Sequence, residues 1–452
     1  MIPERASSAP LIPLEAPEPA TGAEEKPSVQ EWSLLKRLLF RFSFVYLVLY
    51  CLPFPLTVVP YAEVLAKPYQ WLWDRIVPMV AWMAFRIDTE NRPNGSGDTT
   101  FDWMQVLTYL VVAVVATAVW TWLGRRQTAY PRLQVWLRVY VRFFLATFML
   151  LYGTSKAIKS QFAFPMLGEL LQPIGESSPM GLVWDFMGAS TAYTMFTGMA
   201  EMLGGFLLAF RRTTLLGALV SFGAMANVLM LNLCYDVPVK LFSAHLLLMA
   251  VFLMLPDLKR LADLFLLNRR VERVEERPLF ASPRRERIAQ VAGIAFVLLF
   301  AGWWLYRSRQ DSKQYGDLMT RPPLYGIWRA DEVVVDGVAR PPLLTDGTRW
   351  RYLIFDYPES ADLRLMDASS KDGHQYFKLK LDEAKGRMAF SKYRDPKWRA
   401  AFSYRKPAPD VLEMQGTMDG QAIRARLRRI DETKLMLVGR GFHWVSEYPM
   451  NH

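Results

Sequence analysis

Cysteine is nearly absent from this chain: Cys51 and Cys234 are the only two in 452 residues, and they stand far apart. With no CxxC pair, a thiol relay has no residues to run on, although one disulfide between the two stays open at this stage. Histidine is scarce too, four residues at wide spacing that form no metal-ligand motif. A basic module interleaved with aromatics is missing too, so the net charge of +11 is not read as nucleic-acid binding. Residues 1–33 carry neither the basic start nor the short apolar core of a signal peptide. They are rich in Pro, Ala, Glu and Ser and are expected to form a disordered cytoplasmic tail, leaving export to the first membrane helix.

What is abundant is apolar surface, 52% of residues, bunched into runs near the ~20 residues that cross a bilayer. Seven spans are expected, at about 38–58, 103–124, 135–155, 189–210, 213–232, 239–256 and 288–306. Segment 68–86 is apolar but interrupted by Pro68, Asp74, Arg75, Pro78 and Arg86, so an interfacial or re-entrant helix is expected, with Trp71, Trp73 and Trp82 near the headgroups. Arg125, Arg126 and Arg132, then Arg211 and Arg212, then the run from Lys259 to Arg287 fall on one side of such a bundle. By the positive-inside rule that side is cytoplasmic, in a bacterial inner membrane, and the amino terminus joins it. The expected organisation is residues 34–134 as amino-terminal membrane helices, 135–260 as a four-helix unit, 261–287 as a basic cytoplasmic loop, and 288–309 as a last helix and linker.

After about residue 310 the runs become short and alternating: Leu324–Val335, Trp350–Asp356, His374–Leu381, Trp398–Tyr404, Val411–Met414 and Ala422–Arg429. Asp336-Gly337, Asp346-Gly347, Asp372-Gly373 and Asp419-Gly420 separate them as turns. Residues 310–452 are therefore expected to form an exported antiparallel β-barrel-like domain, since closure removes exposed edges. Its interior could enclose a ligand or be packed solid. The aromatic ending, Gly441 to His452, is a candidate to dock on the bundle mouth.

Ionisable groups near apolar runs are costly and usually paired or functional. Tyr152, Lys156 and Lys159 follow a helical spacing at the outer end of the third span, followed by Gln161. Lysines there can attract an anionic or quinone oxygen, or reach into headgroups. Tyr193, Thr197 and Glu201 share a face of the fourth span, with Glu201 near mid-membrane; it would carry a proton or pair with Lys156, Lys240 or an Asn. Asn227 lies within span five and Asn232 near its end. Asp236-Val-Pro238 suggests a turn, Lys240 opens the next span as a partner for Asp236, and His245 follows on a different face. His245 would exchange protons or tie two helices together. Arg138 and Arg142 share a face near the cytoplasmic end and read as lipid-phosphate contacts.

Three stretches, Tyr152-Gly-Thr-Ser-Lys156 with Gln161-Phe162, Glu201-Met-Leu-Gly204-Gly205, and Asn232-Leu-Cys-Tyr-Asp-Val-Pro-Val-Lys240-Leu-Phe-Ser-Ala-His245, resemble the DoxX-like family of membrane proteins over about residues 135–260. The resemblance implies a four-helix membrane unit and an association with oxidoreductase systems, including thiosulfate:quinone oxidoreduction. Carried over, it would set Lys156, Glu201, Asp236, Lys240 and His245 around a quinone or small oxidised substrate, with Tyr152, Lys159, Gln161, Tyr193, Asn227, Asn232 and Tyr235 as binding residues. The chain departs from the family pattern by three added spans and a barrel, and it shows no evident redox-cofactor site of its own. Three functions follow as expectations: a membrane scaffold or lipid- and partner-binding module, a quinone- or lipid-linked oxidoreductase component, and a transporter. Membrane lipids and a redox or envelope protein are the expected partners; quinone is the one cofactor with any support.

Overall fold

The computed structural model describes residues 31–271, 278–367, 373–395 and 397–450. Most of the expected amino-terminal tail, part of the basic loop, Asp372 of the third expected turn and the last two residues of the aromatic ending lie outside them.

The chain folds as a helical bundle followed by a barrel. The bundle runs α1 (Leu34–Cys51), α2 (Glu63–Phe85), α3 (Thr100–Leu123), α4 (Pro131–Ala157), α5 (Pro179–Ala189), α6 (Thr191–Ala209), α7 (Thr214–Cys234), α8 (Lys240–Met254), α9 (Leu258–Phe265) and α10 (Pro283–Tyr315). Among the described residues, five stretches are long and apolar enough to cross a membrane: Thr100–Leu123, Pro131–Ala157, Arg211–Cys234, Lys240–Phe265 and Pro283–Tyr315. The other two expected spans form helices of a different character. Helix α1 stops at Cys51, ahead of Pro53 and Pro55, and carries Lys36, Arg37 and Arg41. Arg41 is buried, donating to the Tyr130 hydroxyl at 2.7 Å and to Thr121 at 2.7 Å, which binds α1 to the α3–α4 corner. Helix α6 begins only at Thr191, because a break at Ser190 divides it from α5, and its first turns are rich in hydroxyls.

Segment 68–86 forms one helix despite Pro68 and Pro78. Trp71 and Trp82 are exposed, as an interfacial position would require. Trp73 is not: it is buried edge-on against Tyr109 of α3, ring centres 4.7 Å apart. The two cysteines are separate thiols, Cys51 buried and Cys234 exposed.

The carboxyl domain comprises β1 (Gly326–Val335), β2 (Val338–Ala339), β3 (Trp350–Phe355), β4 (Ser360–Leu365), β5 (His374–Asp382), β6 (Arg387–Lys392), β7 (Ala400–Ala408), β8 (Val411–Met418) and β9 (Gln421–Arg429). Neighbours pair antiparallel in order from β1 through β3 to β9, and β9 returns to β1, closing a barrel of eight strands; β2 is a short flap on β1. Asp336-Gly337 and Asp419-Gly420 both adopt positive φ, the backbone that a tight hairpin turn with right-handed strand twist demands. Asp346 instead caps a loop, accepting from the backbone N–H of Thr348 and Arg349. The inward face is filled by Trp328, Trp350, Phe355, Phe377, Phe390 and Phe402 among other buried side chains, so the barrel has a packed core. The aromatic ending does not dock: Phe442, Trp444 and Tyr448 are strongly exposed, Trp444 by 92%.

The barrel seats on the loop between α4 and α5. Leu167 packs with Ile327 and Ile354, its backbone N–H donates to Asp356 at 2.7 Å, and Arg364 donates to the Gly168 carbonyl at 2.8 Å.

Candidate functional site

Among the described residues, helices α4 and α6 share the most extensive contact in the bundle, and glycines let their backbones approach closely. A Cβ at Gly153 would lie 2.7 Å from the Gly198 carbonyl oxygen, and one at Gly198 would lie 2.6 Å from the Ala157 nitrogen. One and two helical turns earlier on α4, Leu150 and Ala146 meet Gly205, so the two helices run antiparallel. Side chains lean toward the amino end of their own helix. Lys156, one turn beyond Gly153, and Glu201, one turn beyond Gly198, therefore lean toward the same crossing point from opposite directions. They meet there with Nζ 2.5 Å from Oε1, both side chains buried. Tyr152 lies beside the pair, its ring centre 6.0 Å from the ammonium. The second carboxylate oxygen of Glu201 is buried with no hydrogen-bond partner among the described residues.

Lys159 lies one turn further on, past the end of α4, in a left-handed conformation with φ of 55°. It therefore leaves the face shared by Tyr152 and Lys156. Its buried ammonium donates to the Gly188 carbonyl at 2.9 Å and to Thr191 at 3.1 Å, and pairs with Asp317 at 2.8 Å. Asp317 also accepts from the Phe164 backbone N–H. This lysine joins α4, the α5–α6 break and the linker into the barrel. Gln161 follows with a buried, unpartnered side-chain oxygen.

The Asp236–His245 segment forms two separate groups. Asp236 takes a positive φ of 52°, so the expected turn forms. Lys240 pairs with Asp236 at 2.8 Å and lies 3.8 Å from Asp98. Asp98 accepts from the backbone N–H of Lys240 at 2.7 Å and Leu241 at 2.9 Å, capping α8 from a loop 142 residues earlier in the chain. His245 faces α1 instead. Its Nδ1 lies 2.6 Å from the Leu241 carbonyl, so that nitrogen carries the proton, and Nε2 accepts from the Tyr46 hydroxyl at 2.6 Å. Tyr50 stacks on the ring at 3.8 Å between centres, nearly parallel.

The expected ring of residues about one ligand is thus distributed over three bonded groups: Lys156 with Glu201, Asp236 with Lys240, and His245 with Tyr46. Among the binding residues, Asn232 is buried and donates to Ser243 at 3.0 Å, whereas Tyr193, Asn227 and Tyr235 are exposed on the bundle surface. Asp98, Asp317 and Tyr46 hold these groups together and were not singled out from sequence. Tyr46 and Tyr50 at helical spacing on α1 were the one available hint; the two aspartates sit in polar stretches that look like any loop. Among the described residues, no group of His, Cys, Asp and Glu is placed to hold a metal ion.

A helical membrane protein carrying a closed antiparallel barrel is the class that this architecture defines. No family model matches the chain and no solved structure matches it. Over 126 residues, 27% of this chain and 79% of the relative, it is 32% identical to "Uncharacterized protein YwoB" of Bacillus subtilis (strain 168). The chain belongs to the family of that protein.

Proposed function

We propose that the chain is a DoxX-like membrane scaffold, which spans a bacterial cytoplasmic membrane seven times and presents its barrel outside for a partner or lipid. The arginines at the α3–α4 and α6–α7 connections support a cytoplasmic position for those ends, and for the amino terminus with them. The observation that carries the reading is the pairing of the ionisable groups. Lys156, Lys159, Lys240 and His245 each bond to a residue of another segment or turn, and Lys159 does so across the seam into the barrel linker. Such bonds fix how helices and barrel assemble. A double substitution, Lys156→Met with Glu201→Leu, tests this. A scaffold keeps its fold and every partner retained in mild detergent; a loss of specific quinone binding or quinol turnover in a folded double variant rejects it.

A second reading, a quinone-linked oxidoreductase component, draws support from the free oxygen of Glu201. There the Lys156 ammonium would stabilise charge on a quinone oxygen and Glu201 would carry the proton. The same double variant separates the two readings.

A further inference from the structure

The carboxyl end leaves the barrel at its seam with the bundle. Leu435 packs in the cluster of Leu167, Ile327 and Ile354 that seats the barrel on the α4–α5 loop. A short helical turn, Met436–Gly439, follows. Residues 440–450 then close on themselves: Arg440 donates to the Met450 sulfur, and the Phe442 and Trp444 rings meet edge-on with centres 5.0 Å apart. This loop turns its apolar side chains outward, with Phe442 77% exposed, Trp444 92%, Val445 73% and Tyr448 84%. Its formal charges, Arg440 and Glu447, cancel.

The membrane edge on the barrel side is marked on α10. Its apolar run ends in Trp303, Trp304 and Tyr306, an aromatic group of the kind that settles at the headgroups. Trp304 donates to Ser155, near the end of α4, at 3.1 Å. From Tyr306 to the end of α10 at Tyr315 the helix rises ~14 Å. The chain from Gly439 to Trp444 extends up to ~17 Å. The loop thus has the reach to return from the seam to the level of that aromatic group.

We propose that residues 440–450 form an aromatic anchor that inserts Phe442, Trp444 and Tyr448 into the headgroup layer of the barrel-side leaflet. The anchor holds the barrel to the membrane at a second point beside the seam. Three properties select lipid over a protein partner. Trp and Tyr join an apolar body to a polar tip, which suits the boundary between hydrocarbon and water. The loop emerges within reach of that boundary. Its cancelling charges call for no particular headgroup, so a zwitterionic lipid suffices. The proposal rests on the membrane reading of the bundle for its bilayer, but not on the scaffold role or on any activity of Glu201.

Electron paramagnetic resonance of the full chain, one copy per phosphatidylcholine nanodisc, tests it. A nitroxide is attached at Val445→Cys, with Cys234→Ser removing the exposed native thiol and the buried Cys51 left in place. A label at Val338→Cys is the water-facing control: β1 runs away from the seam between Ile327 and Val335, and Val338, paired with Val335, is exposed. The ratio of collisions with oxygen to collisions with a water-soluble nickel chelate should be about fivefold higher at 445 than at 338. Phe442→Ser combined with Trp444→Ser, both on exposed positions, should return the ratio to the control value. Equal ratios at 445 and 338, or a high ratio untouched by the double substitution, would overturn the anchor. A water-exposed label in single-copy discs with dipolar broadening between labels in detergent would also overturn it, and assign the loop to a second copy of the chain. Loss of partner retention with the label still in lipid would strike the scaffold reading alone.

Discussion

Removing one member of the Lys156–Glu201 pair should cost far more than removing both. The pair is buried, with side-chain exposures of 8% and 3%, so solvent neither screens it nor rescues a stranded charge. Breaking a buried pair from one side typically costs about 3–5 kcal/mol, because the survivor remains as an uncompensated charge. Lys156→Met should fall at the upper end of that range. Glu201 already has one oxygen without a partner, and the substitution would orphan the other. Glu201→Leu should fall lower, at about 3 kcal/mol, since the Lys156 ammonium keeps the face of Tyr152 at 6.0 Å. Replacing both by apolar residues of similar volume is often close to neutral. The double variant should therefore lie within about 1 kcal/mol of the parent, leaving a coupling energy of several kcal/mol in the cycle.

The measurement is reversible unfolding of the full chain in mixed detergent micelles, followed by far-ultraviolet circular dichroism for the parent, both single variants and the double. Two single losses below about 1 kcal/mol that simply add in the double would refute the reasoning. That outcome would mean that water or a rotamer change reaches the pair, and that the glycine crossing alone holds α4 on α6.

The crossing itself gives a companion prediction. Gly198→Ala would drive a methyl toward the Ala157 backbone, so α4 and α6 should separate, with a loss of about 2–3 kcal/mol and reduced disulfide trapping between engineered cysteines on the two helices. At the α8 cap, Asp98→Asn weakens two charge-assisted bonds to backbone N–H groups; faster hydrogen exchange at Lys240 and Leu241 and a cost of about 1 kcal/mol are expected. At the barrel seam, burial lifts the Asp356 carboxyl to about 6. Because its folded pKa lies above its unfolded value, its favourable contribution is complete below about pH 4 and is lost as pH rises through 6, a swing on the order of 3 kcal/mol. Denaturant titrations at pH 4.5 and 7.5 should show about 2 kcal/mol of that loss in the parent and a flatter profile in Asp356→Asn; parallel profiles would contradict it.

Architecture was largely legible in the sequence because it follows from one-dimensional period. Long apolar runs marked helices, and β1, β3, β5 and β9 fell within a few residues of their alternating segments. Strands β4 and β6 escaped because Asp362, Arg364, Arg387 and Lys392 dilute their alternation, and their place in the barrel comes from pairing with neighbours. Two expected spans were blurred by the same effect. The charges of α1 and the hydroxyls of α6 are satisfied inside the bundle, as Arg41 is by Tyr130, and a hydropathy count cannot credit a bond to a residue 89 positions away.

The candidate site was legible only as a set of suspicious residues, and the missing information was direction. Lys156 and Glu201 stood out singly because each is expensive near an apolar core. That they meet depends on α4 and α6 running antiparallel and on Gly153 and Gly198 bringing the backbones together. Lys240 and His245 are five residues apart on α8, yet one turns to Asp98 and Asp236 and the other to Tyr46. Proximity in sequence suggested a shared pocket, while a helix that advances by 3.6 residues per turn sends them to different neighbours. The same geometry that scatters the expected ring also gives each charge a counterpart. A group with all its bonds satisfied has little left to offer a substrate. Glu201, with its one unbonded oxygen, is accordingly where a test for chemistry in this bundle should begin.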